Sequence, residues 1–189
     1  SIEDLRERLE AFSGCALKFT ATNTVFADGN PESDLMFIGE APGVDEDRQG
    51  LPFVGASGKL LNRMLSALGH ERSSVYISNI LFWRPPGNRS PTASESAACL
   101  PFVQRHIELA QPKILVFLGG TSAKIMLGRT EGIMRLRGKW FEYRSDGLNT
   151  PIPAMPTFHP AFLLRQPTQK REAWRDFLAI QEKLQEMRT

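Results

Sequence analysis

Hydrophobic positions along the chain recur with two spacings, one typical of helices and one typical of buried strands. At the N-terminus, apolar residues stand at every third or fourth position, which predicts a helix over 2–12. The same criteria predict further helices over 57–69, 121–127 and 169–187, and a helix capped by Thr92 and Glu95 that runs to about Ala110. Short apolar runs predict strands at 34–38, 75–79 and 113–118, and β-rich connections over 133–157 with a further strand ending near 157–161.

Predicted strands and helices alternate along the chain, which indicates a single α/β domain over residues 1–189 with a mostly parallel sheet. Three segments rich in glycine, proline and polar residues follow the carboxyl ends of predicted strands, namely 39–56, 79–91 and 157–166. Open α/β sheets bind ligands in the crevice outside those strand ends. We therefore expect these three segments to form one site.

Composition narrows the class of protein without identifying it. Hydrophobic residues make up 41% of the chain, and 23 basic residues nearly balance 21 acidic ones, which leaves a net charge of +2. The two cysteines are too few for a disulfide framework, so we expect a reducing, cytoplasmic setting. No apolar run is long enough to span a membrane, and the N-terminal segment does not resemble a signal peptide.

Two common ligand sites fit the sequence poorly. Residues 55–59 hint at a phosphate-binding loop, but that motif needs a glycine where Phe53 stands and a hydroxyl residue where Leu60 stands. A zinc site is equally unsupported by spacing, since the histidines and cysteines lie far apart: His70, His106, His159, Cys15 and Cys99.

Four residues of the expected site have side chains suited to binding and cleaving a nucleotide. Glu40 could act as a general base or stabilise a developing cation, although it could also be a solvated loop carboxylate. Phe53 could stack on a flat base or fill the core, and Asn79 could bind a pyrimidine edge or begin a turn. His159 could donate to an oxygen that gains negative charge, or serve a structural role.

Loops next to the same site carry residues suited to DNA. Arginines in two irregular loops are suited to phosphate contacts, or are merely solvated charges. They are Arg84, Arg89 and Arg165. Leu163 and Leu164 could form an apolar wedge that enters a base stack, or could belong to the core.

Taken together, these motifs resemble those of family 4 uracil-DNA glycosylases. The likeness runs in order over roughly residues 5–185, in three blocks: Gly39–Gly43 with Glu46, Asp47 and Pro52–Gly55; Asn79 with Arg84–Arg89; and Thr157–Arg165. The resemblance implies a three-layer α/β/α sandwich around a four-stranded, mainly parallel sheet. It also implies an enzyme that flips uracil out of single- or double-stranded DNA and hydrolyses its N-glycosidic bond.

The resemblance also assigns roles within the pocket. It implies that Phe53 stacks on the flipped uracil, that Asn79 reads its polar edge, and that His159 contacts the oxygen that takes up charge. The backbone at Gly39 and Ala41 is expected to line the pocket.

Further assignments concern catalysis and DNA contact. Glu40 matches the acidic catalytic position, while Glu46 and Asn88 match positions that support the water or the pocket. The loop that enters the duplex is expected to carry Leu163, Leu164 and Arg165. Arg84 and Arg89 are expected to contact DNA as well.

The chain departs from that family in its cysteines. Family members use four cysteines to hold a four-iron, four-sulfur cluster, and here only Cys15 and Cys99 match, with Phe12 and Trp83 at the other two positions. Such clusters need four ligands, so we expect no cofactor. We expect the two bulky side chains to fill the vacated space and the cysteines to lie close together as buried thiols.

Two alternatives to uracil excision remain open at the level of sequence. One is a glycosylase for another deaminated base, and the other is a DNA-binding module that has lost catalysis. The chain lacks the basic, histidine-containing insertion of relatives that form a covalent bond to DNA, which favours ordinary hydrolysis. A monomer is expected, since a glycosylase acts on one flipped base.

Overall fold

A six-stranded sheet forms the centre of the protein in a computed structural model that describes residues 1–189. Its strands are β1 (Asp28–Gly29), β2 (Leu35–Gly39), β3 (Tyr76–Asn79), β4 (Ile114–Leu118), β5 (Phe141–Tyr143) and β6 (Ile152–Thr157), in the spatial order β1-β3-β2-β4-β6-β5. The inner strands β3, β2, β4 and β6 are all parallel to one another. They match the four-stranded, mainly parallel sheet that the family resemblance implies, and β1 and β5 extend it with short antiparallel edges.

Helices cover both faces of this sheet. They are α1 (Ile2–Ala11), α2 (Leu17–Thr20), α3 (Val44–Gln49), α4 (Ala56–Ala67), α5 (Ala93–Ala110), α6 (Gly120–Leu127), α7 (Ile133–Leu136), α8 (Pro160–Arg165) and α9 (Lys170–Arg188). The predicted cap of α5 is confirmed, because the Thr92 side chain accepts from the Glu95 amide and the Glu95 side chain accepts from the Thr92 amide. No helix is both long and apolar enough to cross a membrane.

Alternation along the central strands divides the core into two layers. In β2, Met36 and Ile38 face the cluster that contains residues of α1, α5 and α6, while Leu35 and Phe37 face the cluster that contains residues of α4 and α9. Every residue of β2 and β4 is buried. This burial on both faces explains why both strands read as continuous apolar runs, and it confirms the three-layer α/β/α sandwich.

The segment 39–56 differs from its prediction as one long loop, because it contains helix α3. The six residues of α3 are almost all polar and carry no apolar periodicity, so the hydrophobic pattern could not reveal them. The helix begins after Gly43, where the Glu46 side chain accepts the Gly43 amide. The region 133–157 likewise contains helix α7 besides its strands.

Candidate active site

One cavity collects residues from all three segments that follow the central strands. It has a volume of about 580 Å³ and lies at the carboxyl edge of the parallel sheet. Its lining includes Glu40, Phe53, Asn79, Asn88, His159 and Arg165. The strand-end placement of polar residues therefore identified the position of the cavity from sequence alone.

Phe53 forms one wall of the cavity in an unusual backbone conformation. Its φ angle is 52°, in the left-handed region that a bulky side chain rarely adopts. The ring lies against the imidazole of His159, with centroids 5.3 Å apart and planes 28° from parallel. An aromatic wall of this kind offers a flat face on which a planar ligand ring can stack.

Gly39 permits this wall to approach the neighbouring strand. A Cβ atom at Gly39 would lie 2.5 Å from Cζ of Phe53 and 2.6 Å from Oδ1 of Asn79. Both distances are far below a van der Waals contact, so only glycine fits at this strand end. Gly39 thus lets the aromatic ring and the amide of Asn79 meet in one small space.

Asn79 has a buried acceptor that the protein leaves unused. Its Oδ1 atom is buried and makes no hydrogen bond within the protein, and the residue lines the cavity. Buried polar atoms nearly always have partners, and an exception inside a cavity indicates a place for a ligand donor. An N–H group on the edge of a flat ring would satisfy it.

His159, whose ring lies against Phe53, is held in the cavity as a neutral donor. It is the residue before α8, and its Nδ1 atom accepts the backbone N–H of Ala161 at 3.0 Å. Burial lowers the pKa of His159 to about 4, and the positive charge of Arg165 acts in the same direction against a smaller opposing effect of Glu46. An imidazole that accepts at Nδ1 carries its proton on Nε2, where it can donate to a ligand oxygen.

Glu40 directly follows β2 and lines the cavity with a free carboxylate. Its backbone carbonyl accepts the amide of Leu81 at 3.0 Å, which fixes the residue against the chain that follows β3. Its side chain makes no hydrogen bond or ion pair with another residue, so the carboxylate is available to a ligand or to water.

Glu46 uses its carboxylate to organise the backbone. Oε1 accepts the amide of Gly43 at 3.1 Å, and Oε2 accepts the amides of Val54 and Gly55 at 2.9 and 2.8 Å. Oε1 is therefore engaged by the residue before α3, and Oε2 by the loop that follows Phe53. These contacts favour supporting the pocket over activating a water.

Asn88 and its neighbouring arginines lie at the rim. Asn88 adopts a φ of 57°, and its Oδ1 accepts Nε of Arg84 at 2.7 Å. Arg89 also lines the cavity, and both of its terminal nitrogens donate to Glu95 at 2.8 Å. That pairing lowers the pKa of Glu95 to about 2. Arg165 is exposed and has no carboxylate partner.

The two leucines of the last motif have different environments. Leu163 is fully buried with Leu60, Phe158 and Ala173, so the prediction that it contacts DNA does not hold for this conformation. It faces the core because α8 packs on α4. Leu164 is 40% exposed and remains a candidate wedge.

Two further residues line the cavity, although no pattern in the sequence pointed to them. Ser57, at the start of α4, and Phe162, in α8, both belong to the lining. The Phe162 ring stacks on Phe158 with centroids 4.9 Å apart. A lone serine or phenylalanine carries no chemical pattern, so only the fold reveals such positions.

The region of the two cysteines is packed with apolar side chains. Cys15 and Cys99 are buried free thiols, and burial together with the neighbouring Cys15 raises the pKa of Cys99 to about 12. Trp83 is buried in the same cluster and donates through Nε1 to Oγ1 of Thr24 at 2.9 Å, while Phe12 packs against that cluster. Two thiols surrounded in this way do not fit a four-iron, four-sulfur cluster.

Comparison with known proteins shows the family of this chain. The family model described as the uracil DNA glycosylase superfamily matches residues 26–178. The chain is 39% identical to the type-4 uracil-DNA glycosylase of Sulfurisphaera tokodaii over 187 residues, which cover 96% of this chain and 84% of that protein. It is 38% identical to the type-4 uracil-DNA glycosylase of Archaeoglobus fulgidus, over 96% of this chain and 92% of that protein. The protein is thus a member of the uracil DNA glycosylase superfamily.

Proposed function

We propose that this protein is a DNA-repair enzyme that hydrolyses the N-glycosidic bond of uracil in DNA and leaves an abasic site. The observation that carries the proposal is the unpaired acceptor Oδ1 of Asn79, in a cavity that is also lined by the flat ring of Phe53 and a neutral His159. Family membership and the identity to type-4 uracil-DNA glycosylases support the same activity.

Asn79 offers a basis for choosing uracil over cytosine. Uracil carries an N–H at N3, which can donate to the waiting Oδ1 atom, whereas neutral cytosine has an acceptor at that position. Cytosine would therefore leave Oδ1 unpaired and facing another lone pair. A site built to accept a hydrogen bond from one N–H group disfavours analogues that lack this group by a large factor.

Bond cleavage requires the protein to stabilise two opposite charges. The C1′–N1 bond breaks with its electrons moving to the base, so the sugar becomes cationic and uracil anionic. The Nε2–H of neutral His159 donates to the uracil oxygen that gains charge, and the free carboxylate of Glu40 stabilises the sugar cation. Water then adds to C1′ and gives a proton to Glu40.

DNA enters the site through a flipped nucleotide. Extrusion costs a few kcal/mol and is least costly where the base is mispaired or single-stranded. We assign the phosphate contacts to Arg84 and Arg165, and the apolar wedge to Leu164. A single chain suffices for this reaction, and the free thiols suit the cytoplasm, so we propose a cytoplasmic monomer.

Loss of either charge-stabilising residue tests the proposal. We expect Glu40→Gln and His159→Ala each to lower the rate of uracil release by about 10²–10³, because each removes a group placed where charge develops. The measurement is alkaline cleavage of abasic sites in single- and double-stranded oligonucleotides that carry uracil, hypoxanthine or xanthine.

Matched variants away from the cavity provide the control. Glu32→Gln changes an exposed glutamate, and His70→Ala changes a histidine bonded to Gln181, so both should retain wild-type rates. Near wild-type release by Glu40→Gln or His159→Ala would contradict the role of that residue. A wild-type protein that binds DNA without release would instead support a binding module, and preferential release of hypoxanthine or xanthine would support a different substrate.

A further inference from the structure

Arg72 is a charged residue that contacts the pocket wall from behind. It begins the short 3₁₀ turn Arg72–Ser74 between α4 and β3, and its side chain is only 20% exposed. Its Nη1 atom donates to the carbonyl of Phe53 at 2.7 Å, and Nη2 donates to the carbonyl of Pro52. Its Nε atom donates to Oδ2 of Asp28 at 2.8 Å, which fixes the guanidinium plane.

These contacts meet a conformational need at Phe53. A phenylalanine with a φ of 52° is strained, and such a conformation persists only where surrounding groups hold it. The carbonyl of Phe53 is also tightly enclosed, since a Cβ atom at Gly58 would lie 1.8 Å from that oxygen. The left-handed conformation thus directs the carbonyl towards Arg72 and the ring towards His159.

Glu46 completes the arrangement on the other side of the same loop. Its Oε2 atom accepts the amides of Val54 and Gly55, the two residues that follow Phe53. A cation therefore holds the carbonyls of residues 52 and 53 while an anion holds the amides of residues 54 and 55. Hydrogen bonds to charged groups are about twice as strong as those between neutral groups.

We propose that Arg72, oriented by Asp28, is a positioning residue that acts on uracil excision through Phe53. By holding both carbonyls, Arg72 keeps the Phe53 ring beside His159 before the base arrives. The inference rests on the proposed function and deepens it. A purely structural ion pair at the sheet edge would stabilise the fold without affecting the aromatic wall in particular.

A double-mutant cycle distinguishes these two roles. We expect Arg72→Met to lower kcat for uracil release by roughly tenfold to a hundredfold, because small misplacements in an active site have effects of this size. KM should change by less than about threefold, since phosphate contacts dominate DNA affinity. In a Phe53→Leu background, Arg72→Met should lower kcat by no more than about threefold, because its effect runs through the lost ring.

Further variants separate positioning from folding. Asp28→Asn leaves the carbonyl contacts in place and should give a smaller loss of kcat in the same direction. Arg72→Lys should recover only part of the loss, because one ammonium cannot span two carbonyls and a carboxylate. Arg188→Met removes an arginine paired with Asp34, away from the cavity, and should keep wild-type kcat.

The outcomes bear on the two proposals separately. Wild-type kcat in Arg72→Met, or an undiminished loss in the Phe53→Leu background, would overturn the positioning role while leaving uracil excision intact. If Arg72→Met fails to fold, wild-type kcat in folded Asp28→Asn and Arg72→Lys would overturn it equally. A wild-type protein that releases no uracil would overturn the proposed function and this inference together.

Discussion

Gly39 shows how one missing side chain determines the shape of the pocket. Alanine at this position would place its Cβ atom 2.5 Å from the Phe53 ring and 2.6 Å from Oδ1 of Asn79. Neither neighbour can retreat easily, because the Phe53 backbone is held by charged groups and Asn79 ends a buried strand. The ring, the amide or both must therefore shift.

We expect Gly39→Ala to lower kcat/KM for uracil release by at least about tenfold, because Phe53 and Asn79, the proposed base-binding residues, would be displaced. Steady-state kinetics on a single-stranded uracil oligonucleotide measures this change. Gly132→Ala is a suitable control, since a Cβ atom there would meet nothing within 4 Å. Unchanged kcat/KM in Gly39→Ala would show that the close approach of Phe53 and Asn79 has no part in catalysis.

At the scale of residues, the sequence predicts which side chains line the cavity better than it predicts how each side chain is buried or paired. Strand-end placement and motif order locate Glu40, Asn79 and His159, which do line the cavity. The burial of Leu163 was not predictable, because two adjacent leucines carry no signal of which one faces the core. Arg72 was missed for a different reason, since it reaches Phe53 across 19 positions of sequence through backbone carbonyls that any residue possesses.

At the scale of elements, apolar pattern and burial correspond closely. The buried strands β2 and β4 and the capped helix α5 follow their predictions to within about one residue. The elements without a prediction of their own are α2, α3, α7, α8 and β1, each of which has six residues or fewer. Such elements are stabilised by their contacts with the rest of the chain, as the Glu46 hydrogen bonds to the loop after α3 illustrate.

The packed region around Trp83 joins the core to the active-site rim. Trp83 is buried beside the cysteines, and Arg84 and Pro85, which follow it directly, lead into the loop at the cavity. Members of family 4 that carry a cluster would hold this segment through a cysteine ligand. Here the indole ring and its hydrogen bond to Thr24 provide the attachment.

Because Trp83 stands where a cysteine ligand would, we predict that the protein contains no iron and that its stability depends on Trp83. We expect purified protein to lack the visible absorption of an iron–sulfur cluster and to contain far less than the about four irons per chain that such a cluster requires. We expect Trp83→Ala to lower the free energy of unfolding by about 3–5 kcal/mol, because it removes a fully buried aromatic side chain.

Trp140 supplies the comparison, since this residue is 37% exposed, and Trp140→Ala should cost clearly less than Trp83→Ala. Iron and urea-unfolding measurements on the same preparations test both parts. A stoichiometric cluster, or equal costs for the two tryptophan variants, would contradict the packing account.

At the scale of the whole molecule, two histidines link folding to pH. His106 is buried between the Phe26 ring, 4.3 Å away, and the hydroxyl of Tyr76, 2.7 Å from Nε2. Burial lowers the pKa of His106 to about 3 and that of His159 to about 4, from an ordinary value of 6.5. Between those values and about pH 6.5, the unfolded chain therefore binds protons that the folded protein does not.

The sign of this difference means that stability falls as the solution becomes more acidic. Lowering the pH from 7 to 5 should reduce the free energy of unfolding by about 2 kcal/mol through His106 alone, with His159 adding in the same direction. Urea unfolding at the two pH values measures the loss. His106→Gln should be less stable at pH 7 but should lose less between pH 7 and 5 than the wild type, because glutamine binds no proton. An equal loss in both proteins would mean that His106 is not the residue that couples folding to pH in this range.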